Sequence, residues 1–147
     1  EKTLAKINIK KNKLEIPEFV LWKLEPNKEI LIILNQVQEK IKNTQILEAK
    51  KLYSYQALNE LGFSNLTIKL LEKLAEENLE YRDAYIVLGS AYYLEQQYQK
   101  AIEELKTAEK IDYNYLPTLK LLSKTYEALD QADLVNDYQQ RIQKLEF

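Results

Sequence analysis

The chain has 147 residues, with 21 Lys plus Arg against 23 Asp plus Glu and a formal net charge of −2. That length fits one domain, and the balance argues against a dedicated nucleic-acid binder, which carries a strongly basic face. There is neither Cys nor His, which excludes thiol nucleophiles, disulfides, thiolate metal sites and imidazole bases, while 2 Gly and 3 Pro disfavour a turn-rich all-β fold.

Residues 1–25 stand apart. Lys2, Lys6, Lys10, Lys11 and Lys13 lie among Ile7, Ile9, Leu14 and Ile16, and the segment closes at Pro17. The alternation fits a short two-stranded ribbon with a polar turn, and an extended arm fits equally well. The arm reads as ordered against the rest of the chain, with a disordered tether or a polybasic link beside a membrane anchor as the alternatives. Phe19, Val20, Leu21 and Trp22 are too apolar to stay solvated. Neither that run nor Ile30–Leu34 approaches the roughly 18–20 residues of a membrane span. The chain opens on Glu1 without Met or a signal-like apolar run, so Glu1 reads as a processed end. A cytoplasmic location is favoured slightly over a tethered soluble domain.

From Pro26 onward the period is helical. Ile30, Ile33, Leu34, Val37 and Ile41 predict a helix over 27–43. Thr44 is expected to cap a second helix ending at Leu61, with Gly62 as its left-handed stop. Ser64 caps a third, striped by Leu66, Leu70, Leu71 and Leu74. A fourth opens at Asp83 and ends near Glu95, and a fifth covers about 98–111. Pro117 sits just inside a sixth that ends near Leu129, and a seventh covers about 132–145. Short connections imply antiparallel neighbours.

An internal repeat organises these helices. With Arg82 as first position, Tyr85, Leu88, Gly89 and Tyr92 are followed by Ala101, Leu105 and Ala108. This pattern closely resembles a tetratricopeptide repeat (TPR). Gly89 and Ala101 are small where the two helices cross, while Tyr85, Leu88 and Tyr92 share one helix face. Adding 34 to the first four positions gives Leu119, Leu122, Ser123 and Tyr126; subtracting 34 from the last three gives Thr67, Leu71 and Leu74. The second helix of the last unit is poorer, with Val135, Gln139 and Ile142 in place of Ala, aromatic and Ala. Tyr113 stands where the family has Pro, and Glu95-Gln96 where Gly is common. The resemblance implies an all-α, right-handed α-solenoid of about three helix pairs (about 48–81, 82–115 and 116–147), capped by the helix at 27–43. Residues 26–147 then form the helical domain and 1–25 the arm.

The resemblance further implies a protein-interaction scaffold that binds a peptide or partner helix in its concave groove and has no cofactor or metal. Carried over by position, the groove candidates are Asp83, Ile86, Ser90 and Tyr93 in the middle repeat. In the last they are Lys120, Lys124 and Glu127, and in the first Leu52, Gln56 and Asn59, with Tyr115 beside them. Ile86 and Ser90 occupy positions of the Lys and Asn clamp of chaperone-tail TPRs, so binding to a chaperone C-terminus is not expected. Tyr85, Tyr92, Tyr98 and Tyr126 read as core or crossing residues with the hydroxyl at the edge; Tyr93 and Tyr115 are better suited to recognition. Glu103-Glu104 and Glu76-Glu77 diverge by about 100° on a helix and read as solvated surface. Only Arg82 and Arg141 are arginine among 21 basic residues, so the bidentate fork is almost unused. Self-association into a homodimer is the alternative reading. Enzymatic and nucleic-acid functions are disfavoured by the residue inventory and charge.

Overall fold

The computed structural model describes residues 27–147. The ribbon or arm expected over 1–25, and Pro26, lie outside the described residues. The described chain is all-helical, with seven helices and no strand: α1 Lys28–Lys42, α2 Leu47–Glu60, α3 Ser64–Glu77, α4 Arg82–Leu94, α5 Tyr98–Ile111, α6 Leu116–Ala128 and α7 Ala132–Glu146. No helix among these residues is long and apolar enough to cross a membrane. The chain divides into two compact units, Glu1–Thr67 and Ile68–Phe147.

In the first unit α1 packs against α2, burying Leu34, Val37 and Ile41 on one helix and Leu52, Tyr55 and Leu58 on the other. Asn27 starts α1: its side-chain oxygen accepts the Ile30 N–H at 2.9 Å, satisfying one of the orphan donors of the first turn. Glu29 at this end and Lys40 and Lys42 at the other complement the helix dipole. Thr44 does not cap α2. Its N–H bonds back to the Ile41 carbonyl at 3.3 Å, which ties it to the end of α1. Ile46 therefore takes the cap position of α2, with no side-chain cap bond. Two polar residues are buried at little cost. The Ser54 hydroxyl donates to the Lys50 carbonyl at 2.8 Å and Thr67 to the Phe63 carbonyl at 2.9 Å, so each is satisfied within its own stretch of chain.

In the second unit α4 packs on α5, α5 on α6 and α6 on α7, and α4 also touches α6. Contacts therefore run between helices adjacent or next-adjacent in the chain. Ile102, Leu105, Leu119, Leu122, Tyr126, Tyr138 and Ile142 form one buried cluster. Gly89 lies at the α4–α5 approach. A Cβ built there would stand 2.6 Å from Leu105 Cγ and 3.3 Å from the Ala101 carbonyl oxygen, so only glycine permits this separation. Pro117 occupies the first turn of α6, where its missing N–H has no partner to lose.

Helices α2, α4 and α6 stop by one device. Gly62, Gln96 and Asp130 are the residues with positive φ among those described, at 91°, 59° and 54°. At each stop that residue's N–H bonds three residues back: Gly62 to Asn59, Gln96 to Tyr93 and Asp130 to Glu127. The next N–H bonds five back: Phe63 to Leu58, Gln97 to Tyr92 and Gln131 to Tyr126. Both bonds satisfy carbonyls orphaned at the helix end. The three positions are 34 residues apart. Left-handed backbone costs a side chain about 1 kcal/mol or more, with Asp tolerated better than Gln. Gln96→Gly is therefore expected to raise the melting temperature of the full chain by about 2–4 °C, and Asp130→Gly by less. Circular dichroism melts of the two variants check the order.

Candidate functional site

The α4 and α6 candidates lie in the second unit, and the structure joins some of them. Tyr93 is half-buried, with its ring edge-on to Tyr98 at 5.3 Å between centroids. The Lys124 ammonium lies over the same ring at 5.0 Å, close enough for cation–π attraction. Tyr93 and Lys124 thus form one aromatic-cationic feature bridging α4 and α6. Lys120 does not join it: its ammonium pairs with Glu146 at 2.7 Å. Ile86 and Ser90 are half-buried on α4, and Glu127 is exposed near the end of α6. Asp83 and Tyr115 are engaged elsewhere. Asp83 accepts from Arg82 at 2.8 Å, and the Arg82 guanidinium covers the Tyr115 ring at 3.4 Å.

The first-unit candidates are described separately. Gln56 is half-buried and lines a narrow cleft with Ile33, Val37, Lys40 and Tyr53, so it faces α1. Asn59 is buried, and its side-chain oxygen has no hydrogen-bond partner among the described residues. Leu52 is core.

Three of the four tyrosines expected in the core are there, whereas Tyr98 is half-buried at the start of α5, edge-on to Tyr93. Tyr85, Tyr92 and Tyr126 are buried, and each of the first two aims its hydroxyl at an acceptor. Tyr85 donates to the Leu79 carbonyl at 3.1 Å, and Tyr92 to Glu72 Oε1 at 2.5 Å. Burial, followed by the bond to Glu72, pushes the Tyr92 phenol well above its ordinary range. Tyr126 stacks on Tyr138 with centroids 5.7 Å apart.

Three features carry chemistry that residue types alone do not reveal. First, both arginines act on the 112–115 connection. Arg82 bonds Asp112 at 2.7 Å while stacking on Tyr115. Arg141 donates to the Tyr113 carbonyl at 2.7 Å and lies over the Tyr113 ring at 3.9 Å. The guanidinium's flat, delocalised charge suits it to bond and stack at once. Second, Glu109 is a buried carboxylate held by Lys106 at 2.7 Å and Arg141 at 2.8 Å. Burial alone would raise its pKa, but the hydrogen bonds from Lys106 and Arg141 outweigh burial and hold it below the ordinary value. Third, Glu104 is not solvated surface. It is half-buried, and burial followed by the neighbouring charges of Glu103 and Glu72 raises its carboxyl. Glu76, Glu77 and Glu103 are exposed, as expected.

Among the described residues no group of three or more acidic side chains is placed to hold a metal ion. A scan against protein-family models and a search of curated proteins return no match to this chain.

Proposed function

We propose that the chain is a TPR-like right-handed solenoid that acts as a non-enzymatic protein-interaction scaffold. Its partner is a peptide or helix of another protein, received along α4 and α6 at the joined Tyr93 and Lys124 side chains, with Ile86 and Ser90 beside them. The observation that carries this reading is the recurrence of the same helix stop at Gly62, Gln96 and Asp130, 34 residues apart. That interval is the length of one TPR. The contact pattern of the second unit, helix to next helix with an added α4–α6 contact, supports stacked pairs over a single globular centre.

Tyr93 fits a recognition role physically. It offers aromatic area with two side-chain torsions to fix, and Lys124 already lies over it, so little ordering remains for a partner to impose. The expected result is that Tyr93→Ala combined with Lys124→Ala weakens capture of the partner by about tenfold or more. The circular dichroism melt of the double variant should match wild type, because Lys124 is exposed and Tyr93 lies outside the buried cluster. Undiminished capture at an unchanged melt would overturn the reading.

A further inference from the structure

The second unit carries another groove, away from Tyr93 and Lys124. It measures about 280 Å³; Ala75, Leu79, Tyr85 and Leu88 line its apolar part, and Glu72, Glu76 and Glu104 line it as well. Leu79 stands 71 % exposed, a large apolar side chain open to solvent, whereas Tyr85 and Leu88 are buried beneath. We propose that this groove docks a basic peptide segment, one that places an aliphatic side chain on Leu79 between lysines or arginines directed at the carboxylates.

Charge complementarity selects that occupant. Four other carboxylates of the unit are matched by cations: Asp83 and Asp112 by Arg82, Glu109 by Lys106 and Arg141, and Glu146 by Lys120. The groove acids are not. Glu72 accepts only the neutral Tyr92 hydroxyl, and neither Glu76 nor Glu104 has a hydrogen bond or ion pair among the described residues. Lys100 comes near, its ammonium 5.7 Å from the Tyr92 ring centroid, yet it pairs with none of these acids. Glu104 is the telling residue. It is half-buried, faces the charge of Glu72 and adjoins that of Glu103, and an unpaired charge withdrawn from water is costly. A cation of the occupant supplies the missing partner, and the exposed Leu79 supplies apolar area that a cation alone cannot use. The sign of the charge excludes nucleic acid. The acids are not grouped to hold a metal ion, which leaves an organic cation on a chain with apolar side chains.

The reading is independent of the Tyr93–Lys124 surface and is tested apart from it. The probe is a fluorescein-labelled, end-capped peptide of alternating Lys and Leu, titrated with the full chain and followed by anisotropy. An oligolysine of equal length and a Glu/Leu peptide serve as comparisons. The Lys/Leu peptide is expected to bind and the Glu/Leu peptide not. Glu72→Gln with Glu104→Gln should weaken binding by about tenfold, with folding kept because glutamine still accepts from Tyr92. Leu79→Ser, at an exposed position, should weaken it several-fold, whereas Tyr93→Ala with Lys124→Ala should leave it unchanged. Amide shifts in a ¹⁵N-labelled chain should centre on Leu79 and Leu88. Absence of binding overturns the proposal. Equal binding of oligolysine, insensitivity to Leu79→Ser, or shifts centred on Tyr93 also overturn it, the first two by reducing the effect to general attraction toward an acidic surface.

Discussion

Gly89→Ala is expected to destabilise the chain by about 1–2 kcal/mol, and the same substitution in a Leu105→Ala background is expected to stabilise it by about 1 kcal/mol. Two opposed effects set the sign. Alanine is a better helix former than glycine by about 1 kcal/mol, so an unhindered position in the middle of α4 would gain from the change. Gly89 is hindered. A Cβ would enter within 2.6 Å of Leu105 Cγ and 2.8 Å of its Cδ2. Leu105 is fully buried, in contact with the cluster that includes Ile102 and Leu119, so it cannot swing into solvent to make room. Overpacking of this kind costs about 1–3 kcal/mol and exceeds the propensity gain. Truncation at Leu105 removes the obstructing atoms. It costs about 2–5 kcal/mol by itself, but it leaves space for the new methyl, and propensity then decides. Urea denaturation of wild type, both single variants and the double variant yields the coupling. If Gly89→Ala has the same sign in both backgrounds, the helix approach at this point is not what requires glycine.

The helices were legible where one local signal dominated. The apolar spacing of α1 and the first-turn Pro117 of α6 needed no tertiary information. Gly62 announced its stop because only glycine adopts positive φ without strain. Gln96 and Asp130 make the same stop with residues that do not advertise it, and they could be found only by adding 34 to Gly62. Thr44 misled for a local reason: threonine suits a cap, but the bond from its N–H to Ile41 commits it to the preceding helix. Of the groove candidates, Tyr93 and Lys124 were legible by position and do meet. Tyr115 could not be judged from its own neighbourhood, because what covers it is Arg82, a residue distant in sequence. The same holds for both arginines. Two in 21 basic residues reads as a type hardly used, yet each bonds and stacks on the 112–115 connection. Their partners lie 30 and 28 positions away, a separation at which periodicity carries no sign of pairing. Glu104 shows the converse. Its neighbour Glu103 suggested a solvated pair, and the burial that distinguishes them comes from tertiary packing.

Removal of the Glu109 carboxylate is expected to be among the most damaging single changes in the second unit. Glu109 is 5 % exposed and gathers Lys106 and Arg141, so Glu109→Ala deprives two cations of their shared anion and loosens α7 from α5. Breaking a buried pair costs about 3–5 kcal/mol. The lower end, about 3 kcal/mol, applies here because the Lys106 and Arg141 side chains are 44 % and 24 % exposed and recover some hydration. Glu109→Gln keeps the shape and one acceptor oxygen but turns an NH2 donor toward the other cation, so it should cost less than Glu109→Ala yet still lose one of the two bonds and the charge assistance of the other. Arg141→Lys separates charge from shape: it preserves a cation but loses the fork that reaches Glu109 and the Tyr113 carbonyl together, so it should still destabilise the chain. The pH dependence follows from the lowered carboxyl. Its folded pKa lies below the ordinary value of 4.5, so the unfolded chain takes up the proton first as pH falls. The stabilisation from Glu109 is therefore complete above that value and fades as pH drops through the lower, folded one. The stability difference between wild type and Glu109→Gln should accordingly stay flat from neutral pH down to about 5 and shrink steadily below about 4. A difference that instead grew on acidification would mean that Lys106 and Arg141 do not hold the carboxylate in its ionised form.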